Sequence, residues 1–363
     1  MAANITYHEQ TDMDNIRKLR EVLKTLPAFA KDYFRAIEPT TSTKTRISYA
    51  YDIRIFFQFL ISQNPSLAKI GIPNLNVSVL DQLKPIDIEE YMEYLKLYDS
   101  PNDQMTITNG ERGLKRKISS LRSFYTYYYK RQAIETNPVQ LVDMPKIHDK
   151  AIIRLDAGET AALLDYIEHC GDQLTGQRKA YYEKTKLRDL AIVTLLLGTG
   201  IRVSECVGLD VEDIDFRNNG IRLIRKGGSE MVVYFGPEVE KALKDYLEAR
   251  KAISPLEGHE HALFYSTQRK RIGVQAVENL VKKYARAITT TKKITPHKLR
   301  STYGTTLYQE TGDIYLVADV LGHKDVNTTK KHYAAMDDAR RRKAATAIRL
   351  REDPAGTHEA TKA

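Results

Sequence analysis

Two arginines and two histidines in the second half of the chain form a set of hydrogen-bond donors with few carboxylates around them. His297 and Arg300 lie three residues apart after Thr295-Pro296, a pair typical of a helix start, so both leave one face of the first turns. Arg202 stands at another predicted helix start, and His323 follows a Leu-Gly stop. Guanidinium and imidazole donors suit the nonbridging oxygens of a phosphodiester, where charge grows toward a pentacoordinate transition state. These residue types predict phosphoryl-transfer chemistry.

A phosphate clamp still needs a nucleophile, and Tyr333 lies a short distance beyond His323. Free tyrosine has a pKa of about 10, so attack at neutral pH requires positive neighbours or a base. No Asp, Glu, His or Cys residues have metal-ligand spacing, since His259 and His261 stand two apart in a predicted loop. The sequence therefore predicts chemistry without a metal or another cofactor.

Hydrophobic periodicity predicts the elements that position these residues. In the first half, helices are expected at about 44–62, from Pro85 onward and at about 111–131. Tyr51 and Ile86 are assigned to the apolar stripes of the first two. The third has a stripe of buried residues: Ile118, Leu121, Phe124, Tyr125 and Tyr128. Its polar stripe consists of Arg112, Lys115, Arg116, Lys117 and Arg122.

In the second half, helices are expected at about 156–169, 186–197, 238–251 and 274–288, and helical structure continues to near residue 350. Between them, 214–216, 221–224 and 231–235 favour β-structure and are separated by Asn-Gly and Gly-Gly turns, which predicts a three-stranded antiparallel meander. Asp313 is predicted to cap one late helix, and Glu205 to hold Arg202. The predicted fold class is mainly α with a small antiparallel β-sheet.

The length of 363 residues favours two domains rather than one core. Pro138 and Pro145 begin a stretch that is poor for helix and good for an extended linker, so the boundary is placed at about 146–150. We expect a helical domain at 1–148, a second domain at 149–352 and a disordered tail at 353–363. No apolar run is long enough for a membrane span. The start lacks a secretory signal, and two cysteines favour a reducing cytoplasm.

The positive charge of the chain is concentrated rather than spread evenly. The formal net charge is +9, while 251–300 alone holds 11 basic and 3 acidic residues. Such a face matches a phosphate backbone, although a solvated helix surface has the same composition. The predicted DNA-backbone contacts come from this region and the helix at 111–131: Lys115, Arg116, Lys117, Arg122, Lys282 and Lys283.

Five short motifs occur in an order that resembles one known family. They are R-x-x-E at 202–205, a lysine in a predicted β-turn at 226, H-x-L-R at 297–300, L-G-H at 321–323 and T-T-x-x-x-Y at 328–333. This pattern resembles the tyrosine recombinases, the Xer and phage-integrase family, over about 155–350. The run KISSLRSFYTYYYK followed by NP looks like that family's core-binding domain. The resemblance implies a helical core-binding domain joined to an α+β catalytic domain.

The resemblance also implies a role for each residue of the motifs. Arg202 and Arg300 would clamp the phosphate, His323 would bind it, and His297 would assist proton transfer. Lys226 would be the general acid for the departing 5′-hydroxyl, and Tyr333 would form a 3′-phosphotyrosyl link. Ser301 departs from the pattern, because many members have histidine directly after the second arginine. That change puts local packing in doubt rather than activity.

The biological role stays open between several alternatives. The implied activity is site-specific cutting and rejoining of DNA, with Xer-like resolution of chromosome or plasmid dimers favoured. An integrase of a mobile element, a relaxing enzyme of the topoisomerase IB kind and a non-catalytic DNA-binding regulator are the alternatives. The implied partner is double-stranded DNA with paired inverted half-sites. The implied assembly is a homotetramer on two sites, linked by exchanged C-terminal segments.

Overall fold

The computed structural model describes residues 6–99, 105–148, 152–225, 230–323 and 325–326. The chain divides into two compact units, residues 1–150 and 151–363. The first unit is helical with a two-stranded hairpin, and the second is helical with a three-stranded sheet. The predicted fold class is therefore confirmed. None of the helices in the described ranges combines the length and apolarity that crossing a membrane requires.

The first unit consists mainly of helices that are 4 to 21 residues long. The β1–β2 hairpin was not predicted, because three-residue strands are too short to show alternation. Ser42 caps the long third helix by accepting a hydrogen bond from the Thr45 amide. The elements are α1 (Tyr7–Leu23), α2 (Ala30–Ala36), α3 (Thr43–Gln63), α4 (Pro65–Ile70), α5 (Pro85–Lys96), β1 (Leu97–Asp99), β2 (Thr106–Thr108), α6 (Glu111–Lys130) and α7 (Pro138–Leu141).

The core of the first unit is rich in aromatic side chains. All five residues of the predicted α6 stripe are buried, and Phe124 packs edge-to-face against Tyr33 and Tyr128. The predictions for Tyr51 and Ile86 were wrong, since these side chains are 40% and 54% exposed. Ile86 lies in the first turn of α5, and Tyr51 turns outward, where the Arg54 guanidinium lies 5.0 Å from its ring. The buried faces of α3 and α5 are thus narrower than their apolar stripes.

In the second unit, the strands of the sheet come after three α-helices in chain order and before four more in the described ranges. The sheet has the predicted antiparallel meander, with Ile221 opposite both Ile214 and Val233. Its second helix begins at Gly176, ten residues before the predicted start at 186. The prediction missed these first turns because they are largely polar and show no apolar periodicity. The elements are α8 (Ala157–His169), α9 (Gly176–Thr199), α10 (Val203–Gly208), β3 (Ile214–Asp215), β4 (Gly220–Ile224), β5 (Glu230–Tyr234), α11 (Pro237–Arg250), α12 (Val274–Ile288), α13 (Pro296–Thr311) and α14 (Ile314–Leu321).

Helix ends in the second unit position the residues that the motifs singled out. Gly200 ends α9 in the left-handed region at φ 64°, and Arg202 follows as the N-cap of α10. Asp313 caps α14 as predicted by accepting from two backbone amides. Gly322 ends α14 at φ 59°. Thr295 occupies the N-cap of α13, but its side chain makes no capping hydrogen bond.

Candidate active site

Arg300 lies buried between the ends of two helices. It projects from the second turn of α13 and is only 5% exposed. One Nη donates to the carbonyl oxygen of Gly200, at the end of α9, and the other to that of Leu321, at the end of α14. Because helix carbonyl ends carry partial negative charge, they stabilise a guanidinium there. The fold thus fixes the direction of this side chain.

Arg202 lies at the same end of α14 but is more open to solvent. Its backbone N–H and Nη1 donate to the two carboxylate oxygens of Glu205, at 2.7 and 2.8 Å. Its Nη2 lies 3.4 Å from the carbonyl oxygen of Gly322. The predicted Arg202–Glu205 pairing is present. With a side chain 41% exposed, Arg202 can still offer donors to a ligand.

A third guanidinium at the carbonyl end of α14 belongs to Arg225, which sequence reasoning missed. Its Nη2 donates to the Val320 carbonyl oxygen at 2.9 Å, and its side chain is 10% exposed. Burial lowers the pKa of Arg225, while the nearby Glu205 carboxylate opposes that shift. In the sequence it is one arginine at the end of a predicted strand, and no pattern separates it from surface arginines.

The two predicted histidines differ in exposure. His297 is exposed in the first turn of α13, and its carbonyl oxygen accepts a hydrogen bond from the Ser301 hydroxyl at 3.0 Å. His323 is half-buried directly after α14, and its backbone N–H donates to the Ala318 carbonyl at 2.9 Å. Lys226 and Tyr333 lie outside the described residues. In the sequence, Lys226 falls between β4 and β5. The pairing of these two strands ends at Ile224 and Glu230.

The electrostatic character of this site is cationic. Arg202 and Arg225 both lie at ion-pair distance from one buried carboxylate, that of Glu205, which is 7% exposed. Arg300 adds a third guanidinium, held by the carbonyls of Gly200 and Leu321. Within the described residues, no group of three or more His, Cys, Asp or Glu side chains could hold a metal ion. Such an arrangement can bind a phosphate diester and stabilise added negative charge on its oxygens.

The predicted DNA-contact cations on α6 have partners inside the first unit. Lys117 is 7% exposed and its Nζ donates to Asn109 Oδ1 at 2.9 Å, so its assignment to the polar stripe was wrong. Burial lowers the pKa of Lys117. Arg116 binds the buried carboxylate of Asp52 through both Nη atoms.

Arg122 donates to the backbone carbonyl oxygens of Val139 and Val142, which fastens the end of the first unit to α6. A guanidinium used in this way is a structural tie, and it has less freedom to follow a phosphate backbone. Lys115 is half-buried on α6. Its place in a DNA footprint stays a prediction.

The two predicted contacts on α12 lie at the surface of the second unit. Lys282 is half-buried and Lys283 is exposed. The Lys283 ammonium lies 3.2 Å from the Tyr284 hydroxyl and 4.2 Å from the centre of its ring. Tyr284 in turn donates to the buried carboxylate of Asp189 at 3.0 Å. This chain of contacts holds the Lys283 side chain against the surface of the unit.

Known proteins resemble this chain in sequence and in fold. A profile of the phage integrase family matches residues 154–340. The tyrosine recombinase XerC of Caldanaerobacter subterraneus subsp. tengcongensis is 33% identical over 337 residues, covering 89% of this chain and 87% of that protein. The tyrosine recombinase XerS of Streptococcus equi subsp. zooepidemicus is 29% identical, covering 89% and 96%. The solved XerH site-specific recombinase, bound to its palindromic difH substrate after cleavage, has the same fold, with a TM-score of 0.62 and 19% identity over 84% of this chain and 80% of that one.

Proposed function

The chain belongs to the phage integrase family of tyrosine recombinases, and from that membership we propose the particular reaction that it performs. It is a DNA strand-transferring enzyme of the Xer type that acts in site-specific recombination. We assign Tyr333 as the nucleophile: its hydroxyl gives its proton to water or a neighbouring base, its oxygen forms a bond to the scissile phosphorus, and the bond to the 5′-oxygen breaks. The departing 5′-oxygen takes a proton from Lys226. The 5′-hydroxyl of a second strand then reverses the step and releases the tyrosine.

The observation that supports this proposal most strongly is the paired anchoring of Arg202 and Arg300. Carbonyls of Gly200, Leu321 and Gly322 hold the two guanidiniums at one place before any ligand arrives. Donors fixed in advance need no reorganisation when charge develops on the phosphate, and such preorganisation is the usual source of large rate gains. We place His297 and His323 beside this clamp as proton-transfer and phosphate-binding groups.

The wider assignment follows from the same premise. We propose that 1–148 is the core-binding domain, 149–352 the catalytic domain and 353–363 a tail. The partner is DNA, and we propose paired inverted half-sites occupied by a homotetramer whose C-terminal segments are exchanged between protomers. The sequence predicts a helix near 339–350, and a short helix with little apolar area needs a surface to dock on, which supports the proposed exchange. The proposed role is dimer resolution in the cytoplasm, where chromosomal DNA lies.

The test is capture of the phosphotyrosyl intermediate. A nicked half-site that releases a short 5′-hydroxyl fragment traps the covalent adduct, which is read on a denaturing gel in the presence of EDTA. Tyr333→Phe is expected to bind DNA normally and form no adduct, because only the hydroxyl is lost. Tyr315→Phe, at an exposed tyrosine of α14, is the matched control and should form the adduct at the normal rate. Adduct formation by the Tyr333→Phe protein would remove the assignment.

Recombination between two sites then separates the recombinase from its alternatives. A relaxing enzyme would form the adduct but rejoin the original strand, and a DNA-binding regulator would form none. Exchange of flanking sequence between two labelled duplexes is the expected result.

A further inference from the structure

Arg225 is the most buried charged side chain at the site without a proposed role. It follows β4, and its Nη2 donates to the Val320 carbonyl oxygen at 2.9 Å. Its Nε has no hydrogen bond and lies 3.9 Å from Oε1 of Glu205, which is ion-pair distance. A guanidinium that is 90% buried costs free energy unless its partners compensate for lost hydration. The contacts of Arg225 must therefore compensate for the cost of its burial.

The Glu205 carboxylate links Arg225 to Arg202. The same oxygen, Oε1, accepts from Arg202 Nη1 at 2.8 Å and lies near Arg225 Nε, while Oε2 accepts from the Arg202 backbone. One carboxylate is thus shared by a buried guanidinium and a half-exposed one. Since only Arg202 is open to solvent, Arg225 acts as the fixed end of this triad and Arg202 as the end that can reach a phosphate.

Gly322 provides a second link between the same two arginines. A Cβ atom at this position would lie 1.4 Å from Arg225 Nη1, so the guanidinium occupies the space that any other residue would fill. The carbonyl oxygen of Gly322 is also the one that Arg202 Nη2 approaches at 3.4 Å. Packing of Arg225 against the Gly322 Cα therefore helps to set where a partner of Arg202 lies.

We propose that Arg225 is a positioning residue for the phosphate clamp, which holds Arg202 in register through Glu205 and Gly322. The inference rests on the proposed function. Arg225 itself does not touch the substrate, and its effect passes through the orientation of Arg202. A fork that spans a carbonyl and a carboxylate is needed for this task, and an ammonium has only a point charge to offer.

The experiment measures single-turnover adduct formation on two matched substrates, a phosphodiester and a methylphosphonate at the scissile position. The methylphosphonate lacks the negative charge that the clamp neutralises, so a protein with a misplaced clamp loses less on it. We expect Arg225→Gln to form the adduct about 10–100-fold more slowly on the phosphodiester, as small misplacements typically cost, and within about 3-fold of the unaltered protein on the methylphosphonate. Arg202→Ala is the positive control for this selective loss.

Two further variants make the test specific. Arg225→Lys keeps the charge and loses the fork, so it should be slowed about as much as Arg225→Gln, and it carries the test if the glutamine protein does not fold. Arg222→Gln removes an exposed arginine of β4, whose partner is Asp213, and this variant should stay within about 2-fold of the normal rate on both substrates.

Several results would overturn the proposal. Equal slowing on both substrates would make Arg225 an ordinary structural residue, and a full rate for Arg225→Lys would mean that only charge matters. A third substrate with a 5′-bridging sulfur needs no proton for its leaving group. If this substrate restored the Arg225→Gln protein to the normal rate, Arg225 would instead act on the proton transfer from Lys226 to the leaving group. Failure of the unaltered protein to form any adduct would count against the proposed function, not against this inference.

Discussion

Loss of Arg116 is expected to destabilise the first unit, because it leaves a buried carboxylate without its guanidinium partner. Asp52 lies on α3 with a side chain 2% exposed, and both its oxygens accept from the Arg116 guanidinium on α6. Burial raises the pKa of Asp52, and the neighbouring Arg116 charge partly offsets this shift. In Arg116→Ala the largest part of this offset is lost, because only Lys117 and Ser120 still lower the pKa of Asp52, while the burial stays.

The magnitude follows from the exposure of the two partners. Removing one partner of a fully buried pair costs about 3–5 kcal/mol, and the half-exposed position of Arg116 reduces this to about 2–3 kcal/mol. Asp52→Asn leaves a guanidinium that water can solvate, so its cost should be about 1 kcal/mol. The double variant Asp52→Asn/Arg116→Ala should be more stable than Arg116→Ala alone, since the buried Asp52 carboxylate that loses its guanidinium partner is gone as well.

The destabilisation should also depend on pH. The ordinary pKa of the Asp52 carboxyl is 3.8, and its folded value lies higher. A carboxyl with a raised folded pKa binds its proton more tightly in the folded state, so stability is lost as pH rises from the unfolded value through the folded one. Without Arg116 the folded value rises further. The cost of Arg116→Ala should therefore be larger at pH 7 than at pH 4.5.

Hydrogen exchange of α3 and α6 amides measures the loss of stability in the first unit, without assuming that the two units unfold together. The free energy of opening is compared between Arg116→Ala, Asp52→Asn, the double variant and the control Arg112→Ala, an exposed arginine of the same helix. A change below about 0.5 kcal/mol for Arg116→Ala, or one that is independent of pH, would refute the reasoning. It would also return Arg116 to the predicted DNA-contact surface.

Three further outcomes are expected. Arg300→Ala should slow adduct formation by about 10²–10³-fold, since one clamp on developing charge has that typical effect, and an undiminished rate in single-turnover cleavage would mean that the arginine is structural. Lys282→Gln with Lys283→Gln should reduce the slope of log DNA affinity against log salt by up to about 2 units, measured by fluorescence anisotropy, and an unchanged slope would move the footprint away from α12. Truncation after Met336 should leave binding to a single half-site largely intact and remove cooperative occupancy of paired sites, and a truncated protein that still recombines at the normal rate would exclude exchange of the C-terminal segment.

Much of the local structure follows from the sequence alone. The α6 stripe, the meander at 214–235 and the Asp313 cap depend on neighbours within a few residues, where periodicity and capping chemistry act directly. The pairing of Arg202 with Glu205 is of the same kind, because three residues separate them at a helix start. Order and spacing of the motifs also identified the family, since they reflect chemistry that constrains side-chain type.

Tertiary packing decided which cations are free to meet a ligand. Lys117 and Arg116 stand on one predicted polar stripe, yet one is buried beside Asn109 and the other is tied to Asp52, a residue distant in the chain. Arg225 reaches Val320 and Gly322 across an even longer stretch of sequence. Helical periodicity specifies one face of one helix, and whether a charge on that face is solvated or paired depends on the element packed against it. That long-range pairing is what only the folded chain determines.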